Sequence, residues 1–158
     1  MKITLLTVGK SSDKNIEALI GRYVDRLRHY VRFEIRCLPD PKGASGATEE
    51  RRKDLEGSAI LAALRPSDHV VLLDERGDQP TSRGFADMLG RHLAGSGRDM
   101  VFVVGGPFGF CDRVYDRAGG ALMALSRMTL THDMVRLFFV EQLYRAFTIV
   151  RGENYHHD

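Results

Sequence analysis

The sequence predicts an α/β protein: a mainly parallel sheet with helices on both faces. Three observations carry this. Short apolar runs alternate with segments of helical periodicity, the pattern of successive βα units. Two of those runs, residues 69–73 (HVVLL) and 100–104 (MVFVV), are apolar throughout rather than alternating, as strands covered on both faces are. No repeat or linker divides the 158 residues, so one domain over 1–158 is expected.

Each element has its own signal. Lys2 to Val8 reads as a strand that ends at Gly9. A helix follows from a Ser12 cap, with Ile16, Leu19, Ile20, Tyr23 and Leu27 on one face. Val31, Phe33, Ile35 and Cys37 alternate with Arg32, Glu34 and Arg36, which predicts a half-buried edge strand. Residues 39–47 (PDPKGASGA) form a loop. Thr48 caps the next helix, where Glu49 and Glu50 suit its positive end; it runs to Leu64 and stops before Pro66. After the strand at 69–73, a helix over Phe85, Met88, Leu89 and Leu93 ends near Gly95 and Gly97. Beyond the strand at 100–104, residues 122–125 are a third short strand. A long helix from His132 to Val150 precedes a polar tail. Met134, Leu137 and Phe138 mark one of its faces, and Val140, Leu143, Phe147 and Val150 another. That is more apolar surface than a small domain leaves on an outer helix, so either other elements wrap it or a second subunit covers it, and a homodimer is the expectation.

Composition narrows the function. Lys and Arg number 23 against 21 Asp and Glu, a net charge of +2. This excludes a strongly basic nucleic-acid module and a disordered acidic chain, but not a local patch. The mild basicity sits in the first 60 residues, which hold 12 basic against 9 acidic side chains. Arg22, Arg26 and His29 share a helix face there, either merely solvated or tracking phosphates. Two cysteines without a CxxC pair give neither a disulfide framework nor a zinc site. His132, His156 and His157 lack ligand spacing, so no metal is expected. The N-terminus carries no targeting signal, and the apolar stretch at 137–140 is too short for a membrane, so cytoplasmic residence is expected.

The chemistry-bearing motifs fall at strand ends, where open α/β sheets bind ligands. The strand at 100–104 runs into Gly105-Gly106-Pro107-Phe108-Gly109, a tight turn or a close backbone approach to a ligand. It is not a dinucleotide fingerprint, and no P-loop or GxSxG elbow is present. Asp74 ends the strand before it, either as a functional carboxylate or as a solvated loop charge. On the last helix, Glu141 and Arg145 read as a structural ion pair four residues apart. Arg136 and Tyr144 could face a polyanion or a dimer seam.

Together, in this order, the motifs resemble the ribosomal large-subunit methyltransferase H family, a minimal branch of the SPOUT methyltransferases with their trefoil-knotted fold. The resemblance rests on Val8-Gly9-Lys10, Leu73-Asp74, Phe102-Val103-Val104-Gly105-Gly106-Pro107 and Leu125-Ser126-Arg127-Met128-Thr129. It continues through His132, Val135-Arg136, Glu141-Gln142-Leu143-Tyr144-Arg145-Ala146, Gly152-Glu153 and Tyr155-His156. It implies S-adenosylmethionine as methyl donor and N3 of a pseudouridine in 23S rRNA as target. It also implies the assembled ribosome as substrate particle and an obligate dimer. It places the donor at Leu73, Gly105, Leu125, Ser126, Arg127, Met128, Thr129 and Leu130. The tail of one protomer would complete the active site of the other, which puts Tyr155 and His156 near the target base. His132 and Arg136 join them as expected catalytic residues, because the imide N3–H must lose its proton. Thr131 and Asn154 stand where many relatives have proline, and His157-Asp158 replaces a common basic ending. The alternatives are a non-catalytic RNA or nucleotide-binding module and a flavodoxin-like cofactor binder.

Overall fold

The computed structural model describes residues 1–11, 13–95 and 97–157. The chain runs β1 (Lys2–Val8), α1 (Lys14–Leu27), β2 (Arg32–Leu38), α2 (Glu49–Ala63), β3 (His69–Asp78), α3 (Ser82–Gly95), β4 (Met100–Val104), α4 (Asp112–Ala118), β5 (Leu122–Met123) and α5 (His132–Val150). The five strands form one parallel sheet in the order β2-β1-β4-β3-β5.

Side-chain alternation along the inner strands builds two cores. Met100, Phe102 and Val104 face one way and pack with Ile3, Leu5, Phe85, Leu89, Phe139 and Leu143, beneath α1, α3 and α5. Val101 and Val103 face the other way and pack with Leu6, Val8, Ile60, Leu72 and Val114, beneath α2 and α4. Hence β4 is buried at every residue. At the edge, β2 buries Phe33 and exposes Arg32 and Arg36, as its alternation predicts; Cys37 is exposed as well.

Local chemistry sets the boundaries. Asp13 caps α1, its Oδ1 accepting from the backbone of Asn15 and Ile16; the expected cap, Ser12, lies outside the described residues. The face of α1 turned to the core holds Ile16, Ile20, Tyr23, Val24 and Leu27, while Leu19 is left exposed. Thr48 caps α2 by accepting from Arg51, and Thr131 caps α5 by accepting from Met134. The α5 helix has the expected bounds. Its buried stripe includes Arg136, Phe139, Val140, Leu143 and Phe147, while Met134, Phe138 and Val150 stay exposed. No described helix is long and apolar enough to cross a membrane.

Three features depart from the sequence reading. Strand β3 continues to Asp78 through the polar run DERGD, with a register shift between Leu73 and Asp78. The continuation depends on Gly77. A Cβ there would lie 2.5 Å from the Met123 amide nitrogen, so only glycine lets the chain at β5 pass this close. Strand β5 covers two residues rather than four. Helix α4 has no bounds legible in the sequence, although a strand-to-helix turn is one reading of the glycine segment before it. It has seven residues, a Cys111 cap with no side-chain bond and a left-handed Gly119 at its end, too short to show a period.

Candidate active site

The carboxyl ends of β4, β3 and β5 are neighbours because these strands are parallel and adjacent. Register fixes their alignment: Leu73 pairs with Val104 on one side and Met123 on the other. Gly105 follows β4 directly, Leu125 lies two residues beyond β5, and Leu73 sits within β3 level with the end of β4, so the register sets the three side by side.

The glycine turn closes on itself. Gly106 and Gly109 form a bridge, with the Gly109 N–H donating to the Gly106 carbonyl at 3.1 Å. Only Gly109 in this turn has positive φ, at 78°. Gly105 and Gly106 are needed for space rather than for dihedral freedom. A Cβ on Gly105 would lie 3.0 Å from the Phe110 ring, and one on Gly106 would overlap the Glu56 carboxylate. Glu56 is 2% exposed, and its Oε1 accepts from Arg52 Nε at 2.8 Å.

In the segment 125–130, Leu125 and Leu130 are half-buried, as is Leu73, while Arg127, Met128 and Thr129 are exposed. Ser126 Oγ accepts from the Met128 N–H at 2.9 Å, which curls the segment into a turn. Leu125 also lines a groove of about 270 Å³, shared with Thr81, Ser82, Phe85, Phe138 and Gln142.

Asp74 is neither solvated nor open to a ligand. It is buried and accepts from the Arg76 backbone and guanidinium, and from the Tyr115 hydroxyl at 2.5 Å. Burial pushes its carboxyl up, but the bonds from Arg76 and Tyr115 outweigh this and hold it below the usual carboxylate range. Burial, with Asp74 beside it, pushes the Tyr115 hydroxyl up to about 12. A depressed carboxyl stabilises the fold above its unfolded pKa, and that stability is lost as pH falls through the folded value. Asp74→Asn is therefore expected to lower stability at pH 7 by about 1–3 kcal/mol. The loss should shrink below roughly pH 4, where the unfolded chain's carboxyl protonates first and the folded one follows at lower pH; urea unfolding at both pH values checks this.

The four expected catalytic residues fall into two groups. His132 and Arg136 lie at the start of α5, over the end of β1. Arg136 is 3% exposed; its Nη2 donates to the Gly9 carbonyl at 2.5 Å and lies 2.5 Å from His132 Nε2, and its Nη1 is 3.8 Å from Cys37 Sγ. This burial removes Arg136 from any polyanion-facing surface. Burial first, then the Arg136 cation, pushes His132 below the usual histidine range, so its ring is neutral and accepts from Arg136.

Tyr155 and His156 instead fold back on the outer side of α5. The Tyr155 hydroxyl donates to Glu141 Oε1 at 3.3 Å, and the Arg145 guanidinium stacks 4.9 Å from its ring centre. His156 Nδ1 is 3.3 Å from Arg145 Nη1. Tyr144 meets the Tyr155 ring edge-on at 4.8 Å. Burial and a hydrogen bond with Tyr23 push the Tyr155 hydroxyl up. Thus Glu141 and Arg145, an ion pair at 2.5 Å as their spacing predicts, also form the platform for the tail. The sequence reading missed that second role. The only signal for it was the shared presence of four polar residues, and spacing alone cannot bring a tail back onto a helix. Arg26 of the α1 patch lies over Tyr23 and Tyr144, against this same platform.

Comparison with known proteins gives the family. The family described as predicted SPOUT methyltransferase matches residues 1–156. A ribosomal RNA large subunit methyltransferase H from Porphyromonas gingivalis is 48% identical over the whole of both chains. Another, from Christiangramia forsetii, is 47% identical over 99% of each. A solved ribosomal RNA small subunit methyltransferase E from Neisseria gonorrhoeae, bound to S-adenosyl methionine, aligns with a TM-score of 0.42 at 16% identity, over 94% of this chain and 66% of that one. A full-length family match and two full-length relatives near half identity leave one assignment: the chain belongs to the SPOUT methyltransferases, in the ribosomal RNA large subunit methyltransferase H family.

Proposed function

We propose that this chain, as one domain, transfers the methyl group of S-adenosylmethionine to N3 of a pseudouridine in 23S rRNA. It acts on the assembled ribosome as a cytoplasmic homodimer. The observation that carries the reading is the strand register that sets Leu73 level with the carboxyl ends of β4 and β5, beside Gly105 and Leu125.

The residues there fit the donor. Half-buried Leu73, Leu125 and Leu130 offer apolar surface to a flat ring, and Gly105 brings bare backbone beside it. Ser126, Arg127, Met128 and Thr129 complete the rim. When bound, the donor supplies an electrophilic methyl group on a positive sulfonium. The chain's part is to orient the two reactants, exclude water and manage the imide proton. Neutral His132 gives its Nε2 lone pair to Arg136 and serves as the base once that hydrogen bond is released. On the target side, the Arg145 cation, with Tyr155 and His156 docked on it, stabilises the anionic imide.

In one protomer the donor edge and the tail platform lie on different elements. A homodimer in which each tail serves its neighbour's donor edge resolves the separation. Exposed Met134 and Phe138 on α5 supply apolar surface for such an interface. The family's trefoil knot is part of the proposal. Calorimetry with S-adenosylmethionine and with its demethylated product tests the donor site. Heat with both is expected, and heat with neither would end the methyltransferase reading.

A further inference from the structure

Glu56 has no role in the chemistry above, yet it is the least expected side chain on its helix. The buried face of α2 consists of Glu56, Gly57 and Ile60. A carboxylate thus sits where the packing calls for an apolar residue. Arg52 satisfies one of its oxygens. The other, Oε2, is fully enclosed with no hydrogen-bond partner. An enclosed acceptor without a donor is costly, and an apolar side chain of the same shape would avoid that cost.

The direction of Oε2 is informative. It points at Gly106, along the line a side chain there would take. Gly106 has no positive φ, so its backbone does not require glycine. The two residues explain each other: the missing Cβ makes the room that the carboxylate fills. The contacts extend further. Arg52 Nη2 lies 3.9 Å from Asp40 Oδ1. Asp40 Oδ1 would in turn lie 3.5 Å from a Cβ on Gly9, and the Gly9 carbonyl accepts from Arg136. Asp40 thus stands between Arg52 and the turn after β1 whose carbonyl holds Arg136.

We infer that Glu56 is a positioning residue for the donor-binding turn 105–109, a role that rests on the donor edge proposed above. Its carboxylate sets the height of the Gly105–Gly106 backbone from beneath. Its free Oε2 is the acceptor for a backbone N–H of the turn when the turn closes on the donor. Arg52 fixes the carboxylate's orientation so that Oε2 keeps facing the turn.

The test compares wild type, Glu56→Gln and Glu56→Ala. It uses calorimetry with S-adenosylhomocysteine, thermal melts with and without it, and steady-state methylation. Glu56→Gln is nearly isosteric and guards against a folding defect in the alanine variant. In Glu56→Gln, the dissociation constant and the donor KM are expected to rise about tenfold, the scale of one charge-assisted hydrogen bond. The product-induced rise in melting temperature shrinks with them, while kcat at saturating donor holds. Lower melting temperatures in both variants, with donor KM and the product-induced rise unchanged, would overturn the inference and leave Glu56 a structural residue. A fall in kcat at unchanged KM would overturn it as well. Absence of binding by the wild type would instead overturn the donor edge itself, so the two failures are distinct.

Discussion

The double variant Tyr155→Phe, His156→Ala is expected to lose roughly a thousandfold in kcat/KM for ribosome methylation, the combined scale of acid–base and electrostatic contributions at one site. Donor binding by the same variant is expected to stay within about twofold of wild type, since Tyr155 and His156 dock on Glu141 and Arg145 in their own protomer and are assigned to the target base, not the donor, in the neighbour. The tail is built to be rigid. The Glu153 N–H donates to the Thr148 carbonyl at 2.9 Å, the Tyr155 N–H donates to the Glu153 carbonyl at 2.9 Å, and the Tyr30 hydroxyl donates to Glu153 Oε2 at 2.6 Å. These bonds fix the backbone where many relatives use a proline, so Asn154 does not leave the tail loose. Tyr155 and His156 then reach Arg145, whose side chain is only 23% exposed. A guanidinium this shielded interacts with an anionic base more strongly than a surface arginine does. Removing both tail groups leaves Arg145 paired with Glu141 alone, without the two groups that meet it from the tail. Methylation at the wild-type rate by the double variant would remove the tail from the active site.

Gly106→Ala is expected to be the most damaging single methyl group that can be added to the chain at the donor turn. The new Cβ would overlap the Glu56 carboxylate, which is itself enclosed and paired with Arg52. Either the carboxylate leaves its place and breaks that pair, or the turn rises. Overpacking of this kind costs about 1–3 kcal/mol, and more when a buried charge is displaced. Donor affinity should fall by more than about tenfold through the displaced backbone. Gly105→Ala serves as the scale. Its Cβ would meet the Phe110 ring at 3.0 Å and the Gly109 carbonyl oxygen at 3.3 Å, tight contacts that a small ring shift relieves. Thermal unfolding and calorimetry should therefore rank Gly106→Ala below Gly105→Ala in both stability and affinity. Equal behaviour of the two would mean that Glu56 does not support the turn.

Much of this architecture is legible in the residues, and the illegible parts share a cause. The inner strands show through because burial on both faces leaves 69–73 and 100–104 without a polar position. The bounds of α5 show through because Thr131 caps one end and Gly152 follows the other. The strand character of DERGD does not, since it exists only because β5 lies over Gly77. The burial of Arg136 does not either. Its spacing from His132 puts both on one face of a helix, but only the turn after β1 supplies the carbonyl that lets a guanidinium be buried there. The separation of His132 and Arg136 from Tyr155 and His156 is a fact of tertiary structure, as is the pairing of Glu56 with Gly106. The meeting of Leu73, Gly105 and Leu125 depends on strand order and register, which the residues alone do not give; the sequence shows only the apolar runs they belong to or follow.

The direct test of the whole account is transfer of a labelled methyl group from S-adenosylmethionine to ribosomes that lack the modification, followed by mapping of the label. The account predicts label at N3 of one pseudouridine of 23S rRNA in assembled ribosomes, with little in naked 23S rRNA. Label elsewhere, or none in the presence of bound donor, would contradict it.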